Sequence, residues 1–414
     1  MATETVETIE PLQAEPARVS FTASRWELAA IVLRGYMLMI PTIGLYRFWQ
    51  ATWKRRLYWH NTIIDGDPLE YTGSATQLLI GFLFALAFFV PIYIAFFYLS
   101  TQVGDAVVLG YAVIAAALWF LSGYAQYRGR DFRLSRTLWR GIRFDQRGSP
   151  WAYALRRFLW SVLMVPTLGL VYPFMAAGLW RYRYRHTWFG DRQFGATGTW
   201  RLLAGPFYRV YFLNVLLIGV VIGNALATKD FVQVEGRTVP GPLTLMLSLA
   251  AVIILSASVA YYRARANSRL LSTVSVGAAT LAVTVRARDV FRQTIVYVLA
   301  FAGLLFVFLL VAIVAIGGIF AFATRNGGAP DAEAVFAVFQ SGTLNVVLII
   351  VCYLVLLGAF GFLGELVIAF GWWKLLANGT TIANAETLHS VHATAEDRAL
   401  IGEGLADALN VGAY

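Results

Sequence analysis

Six uninterrupted apolar runs dominate the chain, at residues 77–99, 106–124, 207–227, 243–262, 294–323 and 344–373. Each is long enough as a helix to cross the roughly 30 Å of hydrocarbon in a bilayer. A backbone in lipid must satisfy its N–H and C=O groups internally, so these runs restrict the chain to membrane-spanning helices. Composition agrees: of 414 residues, 59% are hydrophobic and 14% charged, outside the balance of a soluble globular domain.

Two further apolar runs, 28–48 and 155–175, are broken. Residues 39–49 read MIPTIGLYRFW and residues 164–174 read MVPTLGLVYPF. Pro41 and Pro166 remove a backbone donor, Thr42 and Thr167 follow, and Gly44 and Gly169 come three residues after the prolines, a combination that interrupts a helix. Arginine counting decides how the breaks are used. If all eight runs crossed, the loops 125–157 and 179–206 would face opposite sides, yet they carry nine and five arginines. The positive-inside rule rejects that arrangement. If the broken runs dip in and return, every basic segment and both termini face the cytoplasm, and only Lys229, Arg237 and Arg325 stay outside. Trp49, Trp53, Trp59, Trp139, Trp151, Trp180, Trp372 and Trp373 then fall at the cytoplasmic boundary, where amphipathic rings favour the headgroup layer. A Pro-kinked helix that spans is the alternative.

The breaks belong to a longer repeat. Ser24, Trp26, Met39, Pro41, Thr42, Gly44, Arg56, Thr62 and Thr72 recur 125 residues later as Ser149, Trp151, Met164, Pro166, Thr167, Gly169, Arg181, Thr187 and Thr197. A pattern that reads as β then occurs five times: HNTIIDGDPLEYTG, SRTLWRGIRFDQRG, RHTWFGDRQFGATG, LSTVSVGAATLAVT and GTTIANAETLHSV. In four of these a Thr precedes a large apolar residue by seven positions: Thr62 and Leu69, Thr137 and Phe144, Thr187 and Phe194, Thr381 and Leu388. β-Branched and aromatic residues around a Gly, Asp or Asn turn are a hairpin signal. Isolated hairpins are marginal in water, so pairing into a shared sheet or collar is expected.

The expected fold is mainly α, a polytopic helical bundle. It has about six spanning helices, two Pro/Gly-broken re-entrant or interfacial helices, and short β-hairpins on the cytoplasmic face. Its parts are a disordered acidic tail (1–20), a first repeat unit (21–76), two transmembrane helices with a hairpin (77–143), and a second repeat unit (144–206). Two more helices with a hairpin (207–293), two long helices (294–373) and a cytoplasmic hairpin and tail (374–414) complete it. The tail lacks the basic and apolar regions of a signal peptide. The single cysteine, Cys352, excludes an intramolecular disulfide.

At WELAAIVLRGYMLMIPTIGLYRFWQATWKRRLYWHNTIIDGDPLEYTG the chain resembles the YjgN-like family of bacterial inner-membrane proteins. That family carries threonine-leucine-glycine helix breaks, a following aromatic and Arg-rich segment, and a His-Thr or Asn-Thr strand. The resemblance covers about residues 20–206, and more faintly 262–292 and 370–395. It implies a polytopic inner-membrane location and brings no established activity or catalytic residues.

Little in the chain points to chemistry. Asp65-Gly66-Asp67 resembles the aspartate pair of glycosyltransferases, but Asp-Gly is also a favoured hairpin turn. His60, His186, His389 and His392 all fall in expected hairpins, and metal binding would require converging ligands. Phosphate-cradling glycine loops, nucleophile turns and His-Glu-x-x-His pairs are lacking. An enzyme is therefore not expected, with lipid modification the minority alternative, and neither cofactor nor metal is expected. Within the spans Glu365 stands out, preceded by Gly358, Gly361 and Gly364, with Arg34 and Arg47 as candidate partners. A carboxylate at that depth is costly unless paired, neutral or wet. Asn214, Asn224 and Asn345 suit interhelical hydrogen bonding. With 33 Lys and Arg against 23 acids, and Arg55, Arg56, Arg181, Arg183 and Arg185 on the cytoplasmic face, the expected partner is anionic lipid rather than nucleic acid. The expected function is solute or lipid handling, transporter-like or channel-like. The alternative is a membrane-anchored interaction protein whose Arg-rich face binds anionic lipid or partner proteins.

Overall fold

The computed structural model describes residues 15–102, 106–234, 237–325 and 343–394. Among them, ten short strands close into an antiparallel barrel: β1 (Ala17–Phe21), β2 (Thr62–Ile64), β3 (Asp67–Tyr71), β4 (Thr137–Trp139), β5 (Ile142–Gln146), β6 (Thr187–Phe189), β7 (Arg192–Ala196), β10 (Val274–Val276), β11 (Ala279–Val283) and β12 (Thr380–Ala383). The two remaining strands, β8 (Phe231–Val234) and β9 (Arg237–Pro240), form a separate ribbon. Around the barrel the order is β1, β12, β11, β10, β7, β6, β5, β4, β3, β2, so the first and last of the described strands lie side by side. Strands of three to five residues are far shorter than the roughly 9–11 that a spanning strand needs.

This corrects the expected helical bundle with short hairpins. The hairpins are the wall of a closed barrel, because a separate hairpin leaves a row of unpaired N–H and C=O groups on each edge, and closure removes every edge. Two segments differ from the expectation. Residues 17–20, expected in the tail, belong to β1, whose five-residue alternation Ala-Arg-Val-Ser-Phe is buried at every second position. Of the rest of that tail, residues 1–14 lie outside the described residues. The fifth pattern supplies one strand, β12. After Asn384 the chain turns into a 3₁₀ segment, Ala385–Ser390, so Leu388 is not a strand residue.

The barrel is held by devices repeated around its rim. Threonines at the strand starts turn their hydroxyls back to the carbonyl four residues earlier: Thr62 to Tyr58 at 2.7 Å, Thr137 to Arg133 at 2.8 Å, Thr187 to Arg183 at 2.9 Å and Thr380 to Leu376 at 2.7 Å. Three of these oxygens also accept from a neighbouring helix. Trp373 Nε1 reaches Thr62 at 3.0 Å, Trp59 Nε1 reaches Thr137 at 2.8 Å and Arg130 Nη1 reaches Thr187 at 2.9 Å. At all five seams a backbone N–H just past one strand pair donates to the carbonyl that precedes the next: Thr22 to Asn61, Thr72 to Arg136, Arg147 to His186, Thr197 to Thr273 and Thr284 to Gly379.

The turns use the left-handed backbone that Asp-Gly and Asn sequences tolerate, with φ of +52° and +85° at Asp65 and Gly66 and +55° at Asn384. Asp65-Gly66-Asp67 is thus a turn, and both aspartates bind Arg140. Burial opposes the Arg140 charge, but the two carboxylates outweigh it and hold its pKa above the ordinary arginine value. Ten strands enclose more space than eight, and bulky side chains fill it. Phe21, Trp139, Phe189 and Ile382 are buried inside, with Leu69, Phe144 and Phe194 packed against them. Leu388 and Val391 enter from the C-terminal segment. That segment crosses to the β6–β7 turn, where Asp191 N donates to His392 O at 3.0 Å and Asp191 Oδ1 accepts from His392 N at 3.1 Å.

Every helix pair leaves and rejoins this rim. The first pair, α1 (Arg25–Met39) and α2 (Arg47–His60), links β1 to β2. α3 (Ala75–Gln102) and α4 (Ala106–Ser135) link β3 to β4, and α5 (Pro150–Met164) and α6 (Tyr172–Arg185) link β5 to β6. α7 (Trp200–Thr228) and α8 (Pro242–Leu271) link β7 to β10 with the β8–β9 ribbon at their far end. The last excursion rises from β11 on α9 (Ala287–Arg325) and returns to β12 through α10 (Thr343–Leu363), a π-helical turn (Gly364–Ala369) and α11 (Phe370–Asn378). Among the described residues six helices, all outside the two broken pairs, are long and apolar enough to cross a membrane. Helices of 15 and 14 residues rise only about 22 Å.

The two breaks share one geometry. Ile43 and Gly44 have φ of +50° and +80°, and Leu168 and Gly169 have +49° and +85°. Gly44 N donates to Met39 O at 2.7 Å and Gly169 N to Met164 O at 2.8 Å. The Thr42 and Thr167 hydroxyls donate to Leu38 O and Leu163 O at 2.6 and 2.8 Å. Groups freed by the break are thereby satisfied locally at an exposed apolar tip. Ser24 and Ser149 cap the helices that enter the breaks.

The rim joints are open to test. Thr187→Val removes one of the two acceptors of Arg130 Nη1, the other being Gln146 Oε1, together with the donor to Arg183 O, so unfolding in detergent should be easier by about 1–3 kcal/mol. Thr101→Val, at an exposed site on α3, should melt like the parent, and equal melting of both variants would contradict the joint's role.

Candidate functional site

The polar centre of the helical region lies where the first broken pair meets the last span. Gly364–Ala369 is π-helical, and the widened turn frees carbonyls that α9 takes up. The Gln293 amide donates to Val367 O and, at 2.6 Å, to Ile368 O. Gly371 makes the approach possible, since a Cβ there would sit 2.5 Å from Gln293 Nε2. In the same turn Glu365 meets α2. Lys54 Nζ donates to Glu365 Oε1 at 2.6 Å, with side chains only 11% and 21% exposed. Gln50, one turn before Lys54, donates from Nε2 to Val32 O at 3.1 Å and ties α2 to α1.

Glu365 therefore faces protein beside the first broken pair, midway along α2. Arg34 and Arg47, the candidate partners, sit elsewhere: Arg34 is exposed on α1, and the Arg47 guanidinium lies 5.5 Å from the Phe48 ring centre and 5.8 Å from that of Phe82. Lys54 was missed. Its signal was the spacing Gln50, Lys54, Tyr58, a polar-tipped stripe at i, i+4 that is buried throughout. Pro41, Thr42, Gly44, Pro166, Thr167 and Gly169 form the tips of the two broken pairs, away from the barrel. Arg55, Arg56 and Arg185 are engaged at the rim, with Tyr71 OH at 3.0 Å, Gly73 O at 3.3 Å and Ala196 O at 3.2 Å. Arg181 and Arg183 lie half-buried on α6. Asn214 accepts from Ser258 Oγ at 3.0 Å, linking α7 to α8. The histidines do not converge: His389 contacts Arg140 at 3.1 Å, while His186 Nδ1 meets Tyr182 O at 2.7 Å.

Beside the π turn lies a cleft of about 650 Å³, where α9 leaves the barrel and α11 returns. Arg25, Arg286, Arg292 and Lys374 line it together with Asp289 and Gln293. The one carboxylate among these is taken by Arg292 at 3.2 Å. The remaining charge suits an anion, and Gln293 and Val367 connect the cleft to the turn that carries Glu365.

The Lys54–Glu365 pair predicts a specific pattern of stability. Glu365→Leu should destabilise the protein in detergent by about 3 kcal/mol, because it removes the carboxylate that faces a buried ammonium. Adding Lys54→Met should recover most of that loss, since an apolar pair of similar volume avoids desolvation. Additive losses in the double variant would show that the two side chains act independently.

No curated protein and no solved structure matches the chain. A profile described as a bacterial protein of unknown function (DUF898) matches residues 16–302, from the residue before β1 to the first part of α9. The match covers the two broken helix pairs and eleven of the twelve strands. The chain belongs to this family, DUF898, which is also the YjgN family that its first broken helix pair resembles.

Proposed function

We propose that the protein is a lipid-handling protein of the bacterial inner membrane that holds anionic headgroups where its helices enter the barrel. The observation that carries this reading is the cleft at α9 and α11, with four cations against one already paired carboxylate. A basic pocket between spanning helices on the cytoplasmic side suits a lipid phosphate. The filled barrel favours binding over conduction along its axis, since Trp139, Phe144, Phe189 and Phe194 occupy its interior. The arginine distribution supports a cytoplasmic barrel with both chain ends on that side. The shared geometry of two breaks 125 residues apart supports an origin by internal duplication.

Two experiments test the reading. Short-chain phosphatidylglycerol should bind the detergent-solubilised protein well ahead of phosphatidylcholine. Arg286→Ala with Lys374→Ala should weaken it about 30-fold, at about 1 kcal/mol per cation. A wild type that does not distinguish the two lipids would refute headgroup selection. For topology, reporters fused after Gln146 and after Gln193 should both read cytoplasm, and one after Lys229 periplasm. Opposite readings at Gln146 and Gln193 would place the barrel's two halves on different sides and exclude the proposed orientation.

A further inference from the structure

A second cleft, of about 500 Å³, opens between the second broken pair and the helices α4, α7 and α8. Arg157, Arg183 and Arg263 line it with Gln126, Tyr153 and Tyr262, and neither Asp nor Glu is among the lining residues. The arginines are supported from behind. Arg157 Nη1 donates to Ser122 Oγ at 2.5 Å, with its guanidinium 4.7 Å from the Trp119 ring centre. The Arg263 guanidinium stacks 4.2 Å from the Trp372 ring centre. Arg183 Nε is buried and has no hydrogen-bond partner among the described residues. Gathering three cations without a carboxylate is unfavourable unless an anion joins them.

The first broken pair shows what fills this place when protein does. Its inward positions are Leu28, Val32, Gln50, Lys54 and Tyr58, all buried, and Lys54 meets the Glu365 carboxylate. The residues 125 positions later are Tyr153, Arg157, Met175, Leu179 and Arg183, all five of which line the second cleft. The cation at Lys54 is replaced there by leucine, and two arginines appear at the positions of Val32 and Tyr58. In the first pair a carboxylate of the chain neutralises the charge, whereas in the second the lining supplies cations and space.

Resting on the lipid-handling reading, we infer that this cleft binds a phosphate group carried by an anionic lipid. Guanidinium forks match phosphate oxygens in bidentate geometry, and the dianionic charge of a phosphomonoester suits three arginines. The source follows from the surroundings. Leu203, Val259 and Met175 form an apolar part of the lining, and α8 continues it with exposed Leu255 and Val252, four and seven residues before Val259 and so on the same helix face. An acyl chain has apolar helix surface to lie on there, whereas free phosphate would make no use of it.

The test uses the full chain in a zwitterionic detergent, with short-chain phosphatidic acid, phosphatidylcholine and inorganic phosphate as separate titrants. Saturable binding of phosphatidic acid is expected, at least tenfold weaker in both Arg157→Gln and Arg183→Gln, with phosphatidylcholine inert. Met175→Trp, which fills the cleft and keeps its charges, should weaken binding similarly, and matching melting curves would exclude misfolding. Arg286→Ala with Lys374→Ala should leave this binding in place. If inorganic phosphate binds as tightly as the lipid, the lipid assignment is overturned. Binding unaffected by Arg157→Gln, Arg183→Gln and Met175→Trp but lost on changing Arg286 and Lys374 overturns this site while the first cleft stands. A wild type that binds no anionic lipid at all overturns both.

Discussion

Pairing of β1 with β12 is the constraint on which the remaining architecture depends. The barrel's strands are three to five residues long, and none would persist alone. Each gains stability only from having neighbours on both sides, and the last pair of neighbours is made by the two ends of the described chain. Five seams with the same backbone hydrogen bond, and threonines that bridge strand and helix, spread that closure evenly around the ring.

Closure also dictates what the helices can do. Because consecutive strands begin and end at one rim, each helical excursion must return to it, whether it has the 15 and 14 residues of the first broken pair or the 28 and 30 of the next. Each broken pair turns an inner face, near the rim, towards a space between it and its neighbours. At the first broken pair the space is occupied by the last span, whose π turn brings Glu365 to Lys54 and needs Gln293 to satisfy the carbonyls it frees. At the second the corresponding face opens on Arg157 and Arg183. In this cleft and in the one at α9 and α11 the lining cations outnumber the carboxylates.

Much of this was legible in the sequence element by element, and the barrel was not. The threonine at the start of each pattern and the Asp-Gly turn reveal hairpins, because those signals are local. Closure is a property of the ring, and its last strand, Ala17–Phe21, is a five-residue alternation beside an acidic stretch that reads as tail. β12 misled in the opposite sense, since its Asn384 turn resembles a hairpin turn but leads to residues that fill the barrel mouth. Glu365 stood out because a carboxylate amid glycines in an apolar run is rare. Lys54 did not, since in an Arg-rich segment one more cation looks like part of a solvated face. Beyond its i, i+4 spacing with Gln50 and Tyr58, its burial against a residue 311 positions away distinguishes it.

The most direct measurement is a disulfide across the closing strands. Arg18 and Thr381 face each other in the β1–β12 register, and a chain with Cys352→Ser, Arg18→Cys and Thr381→Cys can be oxidised in isolated membranes. Closure predicts an intramolecular cross-link as efficient as that of Glu70→Cys with Leu138→Cys, which face each other across β3 and β4. Efficient cross-linking of the β3–β4 pair with none between residues 18 and 381 would mean that the ring is open, and the account of the rim and its clefts would fail with it.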